Sequence, residues 1–163
     1  MASEIRKAVY TDIPAITGIY NEAILTTTAT FDTEPKTTAA QRKWLKAHGP
    51  KNPVLVAVEG GKVVGWASLS EYSDRCAYSD TAELSVYVKE KFRNRGIGRK
   101  LMETVLAEGK KAGLHAVISR IVSGNGISIH LHHESGFIDI GTMKEVGRKF
   151  GQLLDVDLMQ KIY

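Results

Sequence analysis

The segment "AELSVYVKEKFRNRGIGRKLMETVLAEGKKAG", residues 82–113, constrains this chain more than any other. It opens with strand-like residues. The twelve positions Glu90–Leu101 then hold five positive charges and two glycines. Ile97, Leu101, Val105 and Leu106 follow at helical spacing. A helix start exposes unpaired backbone N–H groups and carries partial positive charge. Glycines let an anion come close to that backbone. The pattern strand, "RNRGIG", helix therefore predicts a cradle for a diphosphate. Two common cradles are excluded. Leu101 stands where G-x-G-x-x-G needs its third glycine, and G-x-x-x-x-G-K-[ST] is absent. What remains is R-x-x-G-x-G at Arg93, Gly96 and Gly98. On those residues alone, a solvated basic helix start fits equally well.

The chain has 163 residues, enough for one domain with a real core. Its net charge of +4 is compatible with a phosphorylated cofactor. Outside the cradle the basic residues are dispersed. They form no aromatic-interleaved patch and no zinc-finger spacing, so no nucleic-acid partner is expected. No apolar run approaches the ~20 residues of a membrane span, and no membrane partner is expected either. "MASEIRKAVYTD" lacks the apolar segment of a secretory signal, and the lone Cys76 has no internal disulfide partner. Both point to the cytoplasm.

Periodicity gives the order β α α β β β α β α β β. "EIRKAV" reads as a strand and "TDIPAITGIYNEAIL" as a helix capped by Thr11 or Asp12 and stopped by threonines 26–28 and 30. "TTAAQRKWLKAHGP" reads as a second helix with Thr37 or Thr38 as cap. "NPVLVAVEGGKVVGWASLS" is a hairpin turning at Gly60-Gly61. "EYSDRCAYSD" is turn-rich, "LHAVISRIV" a strand, and "ISIHLHHES" a short helix. "FIDIGTMKEV" and "LLDVDLMQKI" are two last strands joined by "GRKFGQ". With no repeat and no linker, the expectation is one mixed α/β domain over residues 1–163.

Glu83 to Lys110 resembles the acetyl-CoA-binding motif of the GNAT superfamily of N-acetyltransferases, and "NGISIHLHHESGF" resembles its second motif. "IYNEAILTTTATFDTEP", "DRCAYSDTAELSVYV" and "VGRKFGQLLDVDLMQ" are similar to the phosphinothricin and methionine sulfoximine acetyltransferase branch. The resemblance implies a central, mostly antiparallel mixed sheet with helices around it. Two parallel strands, near Glu83–Lys89 and His115–Val122, splay apart in it. It implies acetyl-CoA as cosubstrate and no metal. Backbone groups of Val86, Tyr87 and Val88 are expected to hold the pantetheine arm. Arg93, Asn94, Arg95, Gly96, Ile97, Gly98 and Arg99 are expected at the diphosphate, and Asn125 at the cofactor arm.

An amino acid's protonated amine cannot attack a thioester until a base takes a proton. Glu83 alternates with Leu84, Val86 and Val88, an apolar setting in which a carboxylate's pKa can rise. The resemblance implies Glu83 as that base and a backbone N–H, that of Val86, as oxyanion donor. His132 occupies the place of a family tyrosine; it either protonates the leaving thiolate or packs the helix. Asn21, Thr30, Phe31, Arg75 and Lys149 match the branch's substrate wall. Arg75 suits a carboxylate, while Ser73 stands where the branch commonly has a second basic residue. Other readings of Asn21, Thr30 and Phe31 are packing and helix termination, and of Lys149 a solvated turn.

"HLHHE" lacks the H-E-x-x-H order of a zinc site, and Cys76 as acyl-carrying nucleophile has no sequence neighbour to activate it. The leading expectation is an N-acetyltransferase for the α-amine of a small amino acid of the methionine sulfoximine, methionine sulfone or phosphinothricin type, working as a homodimer. The alternatives are acetylation of a peptide N-terminus and a non-catalytic acyl-CoA sensor.

Overall fold

The computed structural model describes residues 2–163. Its strands are β1 (Glu4–Lys7), β2 (Val54–Glu59), β3 (Lys62–Glu71), β4 (Thr81–Val88), β5 (Ala116–Val122), β6 (Ile138–Lys149) and β7 (Gln152–Ile162). The helices are α1 (Ile13–Thr26), α2 (Thr38–Lys46), α3 (Ile97–Lys111) and α4 (Gly126–Glu134). One seven-stranded sheet runs in the order β1-β2-β3-β4-β5-β7-β6. Every neighbouring pair is antiparallel except β4–β5, which is parallel. The expected mixed, mostly antiparallel α/β architecture is the one observed.

Local chemistry explains most boundaries. Thr37 accepts a hydrogen bond from the Ala40 N–H at 3.1 Å and caps α2. The Thr26 and Thr27 hydroxyls donate back to the carbonyls of Glu22 and Ala23, and α1 ends there. Gly60 and Gly61 turn β2 into β3 with φ of 58° and 77°. Asp12 stands at the start of α1 but does not cap it with its side chain. Its buried carboxylate accepts from the Val9 N–H at 2.8 Å and from both terminal nitrogens of Arg6 at 2.8 and 2.9 Å. That arrangement ties β1 to α1.

The last hairpin differs from expectation. "GRKFGQ" is not a loop: β6 continues through Lys149, which pairs with Gln152, and the chain turns at Phe150-Gly151 with φ of 51° and 73°. Lys149, at the end of β6, is buried against another part of the chain.

Two apolar layers sandwich the sheet. On one face α3 packs Leu101, Met102 and Val105 against Leu69, Leu84 and Val117, and α4 adds Ile129 and Leu131. On the other face Ile13, Ile16 and Ile19 of α1 meet Val56 and Trp66, with Tyr20, Trp44 and Tyr87 alongside. The layers clamp β4, whose side chains alternate between them. Ala82, Leu84, Val86 and Val88 go to the α3 face, and Thr81, Glu83, Ser85 and Tyr87 to the α1 face.

Candidate active site

The parallel pairing of β4 with β5 is short: Thr81, Ala82 and Glu83 against Ala116, Val117 and Ile118. Beyond Glu83 the strands part, and β5 stays paired only with β7. Register shows which groups of β4 face the gap. The N–H of Tyr72 donates to Thr81 O at 3.4 Å and that of Lys89 to Val64 O at 2.8 Å, whereas that of Leu69 donates to Pro53 O at 3.0 Å. Antiparallel hydrogen bonding alternates, so Glu83, Ser85 and Tyr87 spend their backbone on β3. Leu84, Val86 and Val88 turn theirs toward β5; the Glu83–Ile118 register spends the Leu84 N–H on Ile118 O, and the gap opens at the Leu84 carbonyl. Val88 O is occupied by Arg93 Nε at 3.0 Å. An extended ligand arm can add to such an edge. This corrects one expectation: the Tyr87 backbone is spent on β3, and the free groups of this edge are the Leu84 carbonyl, the Val86 N–H and carbonyl, and the Val88 N–H. The Tyr87 ring instead packs against Trp66 and Tyr20, with centroids 5.0 and 5.2 Å away.

Past β4, a short 3₁₀ turn at Glu90–Phe92 leads into the basic segment. Asn94 has φ 63° and Gly96 φ 79°, both left-handed, and α3 starts at Ile97. Asparagine tolerates that region and glycine has no penalty there. Gly96 holds the N-cap position, so no side chain covers the first amides of α3. Buried Ile97 anchors the helix start, and Gly98 packs near Val88. Arg93, Arg95 and Arg99 reach Glu22, Glu59 and Glu134 respectively. The arginine ends of these pairs are exposed to solvent, so each pair is weak. An unpaired strand edge that leads to an uncapped, cationic helix start fits acetyl-CoA, an amide-bearing arm carrying a diphosphate. Asn125, on the other arm of the fork, caps α4: its Oδ1 accepts from the Ser128 N–H at 3.3 Å. Its amide nitrogen donates to no other described residue.

Glu83 stands where the fork closes, on the α1 face. Its setting is not the apolar one its own strand suggests. Arg120 of β5 reaches across the opening, and its Nε donates to Glu83 Oε2 at 2.5 Å. The Glu83 side chain retains 29% exposure, so solvent or a substrate can reach it. Ser70 lies directly opposite on β3, and its hydroxyl is 2.8 Å from His48 Nε2.

His132 departs from the role of a thiolate-protonating acid. Its Nδ1 lies 2.7 Å from Ser128 O, and a carbonyl only accepts, so Nδ1 carries the proton. Nε2 therefore accepts from the Ser119 hydroxyl at 3.0 Å. Both nitrogens are committed, and Phe137 packs against the ring at 4.9 Å. Burial holds the imidazole below its usual pKa, against the opposing pull of Ser128 O. The residue stitches α4 to β5.

The residues expected at the substrate separate into two places. Thr30, Phe31 and Lys149 meet where the last hairpin crosses the α1–α2 loop. Lys149 Nζ donates to Thr30 O at 2.7 Å, and the Phe31 ring leaves no room for a Cβ at Gly147. Lys149 is thus a buried tie, not a solvated turn. Asn21 is spent as well: its amide donates to Lys36 O at 2.9 Å and its carbonyl accepts from Lys36 N at 2.8 Å. Asn21 and Lys149 both hold the loop that carries Phe31, Lys149 with one of its three ammonium donors. Arg75 lies elsewhere, lining a cavity of about 610 Å³ with Tyr72, Tyr78 and Arg120. The aromatic pair and Arg120 were not foreseen. The histidines of "HLHHE" diverge. His130 Nε2 lies 3.1 Å from Glu134, His133 Nε2 lies 3.0 Å from Asp139, and His132 is buried. Cys76 is exposed on a 3₁₀ turn beside Arg75.

Comparison with known proteins agrees with this geometry. Residues 16–137 match the model of the acetyltransferase (GNAT) family. The chain is 38% identical over 162 residues to the L-methionine sulfoximine/L-methionine sulfone acetyltransferase of Pseudomonas paraeruginosa, covering 98% of this chain and 94% of that protein. It is 36% identical over 157 residues to the phosphinothricin N-acetyltransferase of Streptomyces coelicolor, covering 94% and 92%. Among solved structures, an acetyltransferase from Salmonella typhimurium with its cofactor acetyl-CoA superposes with a TM-score of 0.95 at 38% identity, covering 99% and 94%. A phosphinothricin acetyltransferase from Sinorhizobium meliloti in complex with acetyl-CoA gives 0.94 at 33% identity, covering 99% and 89%. With its fork, its helix-start cradle and a family match over most of its length, the chain belongs to the GNAT family and is an acetyl-CoA-dependent N-acetyltransferase.

Proposed function

We propose that this enzyme acetylates the α-amine of a small amino acid with a polar tetrahedral side-chain head, of the methionine sulfoximine, methionine sulfone or phosphinothricin type, by direct attack with Glu83 as general base. The similarity to curated enzymes named for those substrates supports the substrate class. The single observation that carries the chemistry is the closure of the fork at Glu83, which brings a carboxylate to the end of the free β4 edge.

Acetyl-CoA supplies the activated acyl carbon. Leu84, Val86 and Val88 hold the extended arm by their backbone, and the amides from Asn94 to Arg99 hold the diphosphate. Asn125 contributes its amide from the opposite strand. Glu83 takes one proton from the substrate's ammonium, directly or through a water, and so frees the lone pair. The Val86 N–H donates to the carbonyl oxygen as charge builds there. The amine's second proton balances the departing thiolate, whose thiol pKa of ~8.5 makes acid help dispensable. His132 is outside this sequence of events. Residues 1–163 act as one acetyltransferase domain, working in the cytoplasm. Two copies pair as a homodimer through the apolar outer face of the β6–β7 hairpin.

A thiol-release assay with acetyl-CoA tests the reading over free amino acids, their sulfoximine, sulfone and phosphinate analogues, and peptides. Methionine sulfone and its analogues are expected to be preferred over peptides. Glu83→Gln is expected to lower kcat by about a hundredfold or more while leaving coenzyme A affinity within about twofold. Normal turnover by Glu83→Gln removes Glu83 as the base. Preference for peptides favours N-terminal acetylation, and tight coenzyme A binding with no release on any amine favours a sensor.

A further inference from the structure

Glu83 and Arg120 are the only charged side chains inside their respective strands. They point to the same face: Glu83 is opposite Ile118 in the parallel register, and Arg120 is two residues further along β5. The pair therefore spans the fork at the level where backbone pairing stops. Only the Nε of Arg120 is used for Glu83. Neither of its terminal nitrogens donates to another described residue, and its side chain is 53% exposed. A guanidinium has five donors, so four remain.

Those donors open into the cavity of about 610 Å³ that Arg75 also lines. The Arg75 side chain makes no hydrogen bond to a described residue either. Among the lining residues there is no carboxylate. Arg120 shares its charge with Glu83, while Arg75 has no ionic partner among the described residues, so the space keeps positive charge and free guanidinium donors suited to an anion. Its remaining walls are aromatic on one side, Tyr72 and Tyr78, and apolar on the other, Met143 and Leu158.

We infer that Arg120 is a specificity-determining residue of the acetyl-transfer site. Its Nε positions the Glu83 carboxylate, and its terminal nitrogens, together with Arg75, bind the carboxylate of the amino-acid substrate. This rests on the proposed small-amino-acid reading and deepens it. One side chain thereby fixes the distance between the substrate's acidic end and the base that deprotonates its amine. A substrate lacking the carboxylate leaves the terminal nitrogens of Arg120 and the Arg75 guanidinium unpaired. Discrimination against neutral amides follows from that.

The test compares methionine sulfone with its carboxamide in the wild type, Arg120→Met and Arg120→Lys. A second readout is calorimetric binding of N-acetyl-methionine sulfone in the presence of coenzyme A. The wild type is expected to prefer the free acid. Arg120→Met is expected to raise KM for the acid by about tenfold to a hundredfold with little change in KM for the carboxamide, and to lower kcat for both because Glu83 loses its positioning partner. Arg120→Lys recovers part of the preference because it keeps the charge without the fork. If Arg120→Met still prefers the free acid by the wild-type factor, the inference is overturned while the substrate reading stands. If the wild type turns over neither compound yet binds the carboxylate ligand, and Arg120→Met does not bind it, the substrate reading fails while the anion site stands. If the wild type shows neither turnover nor carboxylate binding, both fall.

Discussion

His132 shows how much a single residue's meaning depends on what the fold brings to it. In sequence it sits before Gly-Phe, where a proton donor for the thiolate is a reasonable expectation. In the folded chain Ser128 fixes its tautomer and Ser119 takes its other nitrogen. Burial depresses its pKa, so as pH falls the unfolded chain takes up the proton first. The stability His132 contributes is complete above about pH 6.5, the ordinary imidazole value, and is lost progressively below it. His48, half-buried, has the same sign. Melting curves of wild type and His132→Gln between about pH 7.5 and 5 are expected to show a shallower pH slope in the variant. The pH profile of kcat should keep its alkaline limb. Loss of that limb would restore His132 as an acid. Glu83 teaches the converse lesson. Its identity was legible, but its partner was not, because Arg120 is 37 residues away. The legible hint was paired oddity: one lone acid in "AELSVYV" and one lone base in "AVISRIV".

At the scale of elements, the strand, turn and helix around the cradle were readable because each signal is local. Apolar alternation ends at Val88, left-handed positions fall on Asn94 and Gly96, and an amphipathic run begins at Ile97. The fork was not readable from periodicity. It exists because β5 leaves β4 after Ile118 to stay with β7, a choice made by residues some forty positions further on. The ties that Asn21 and Lys149 make to one loop were not readable either, because their partners lie 15 and 119 residues away. The final hairpin was drawn too short, since nothing local reveals that Lys149 would be buried. Its outer strand, β6, is an edge twelve residues long. Ile138, Ile140, Val146 and Phe150 on this hairpin are each more than half exposed, at 61, 52, 52 and 60%. Edges of this kind are normally blunted or covered. Sedimentation velocity is expected to give a dimer for the wild type and a monomer for Ile140→Lys combined with Val146→Lys. A monomeric wild type would remove the proposed pairing.

The whole molecule is a clamp built around one strand. Apolar layers on both faces hold β4 rigid, β3 takes half of its backbone groups, and the absence of β5 beyond Ile118 frees the other half. Glu83 stands at one end of that free edge and the uncapped start of α3 at the other. The central claim is that this edge and helix start seat acetyl-CoA with its thioester beside Glu83. A crystal structure of the enzyme with coenzyme A tests it most directly. The account predicts the diphosphate on the amides between Asn94 and Arg99, an arm hydrogen-bonded to Val86, and the sulfur at the closure of the fork near Glu83 and Arg120. A diphosphate bound away from that turn, or an arm that bypasses β4, contradicts it.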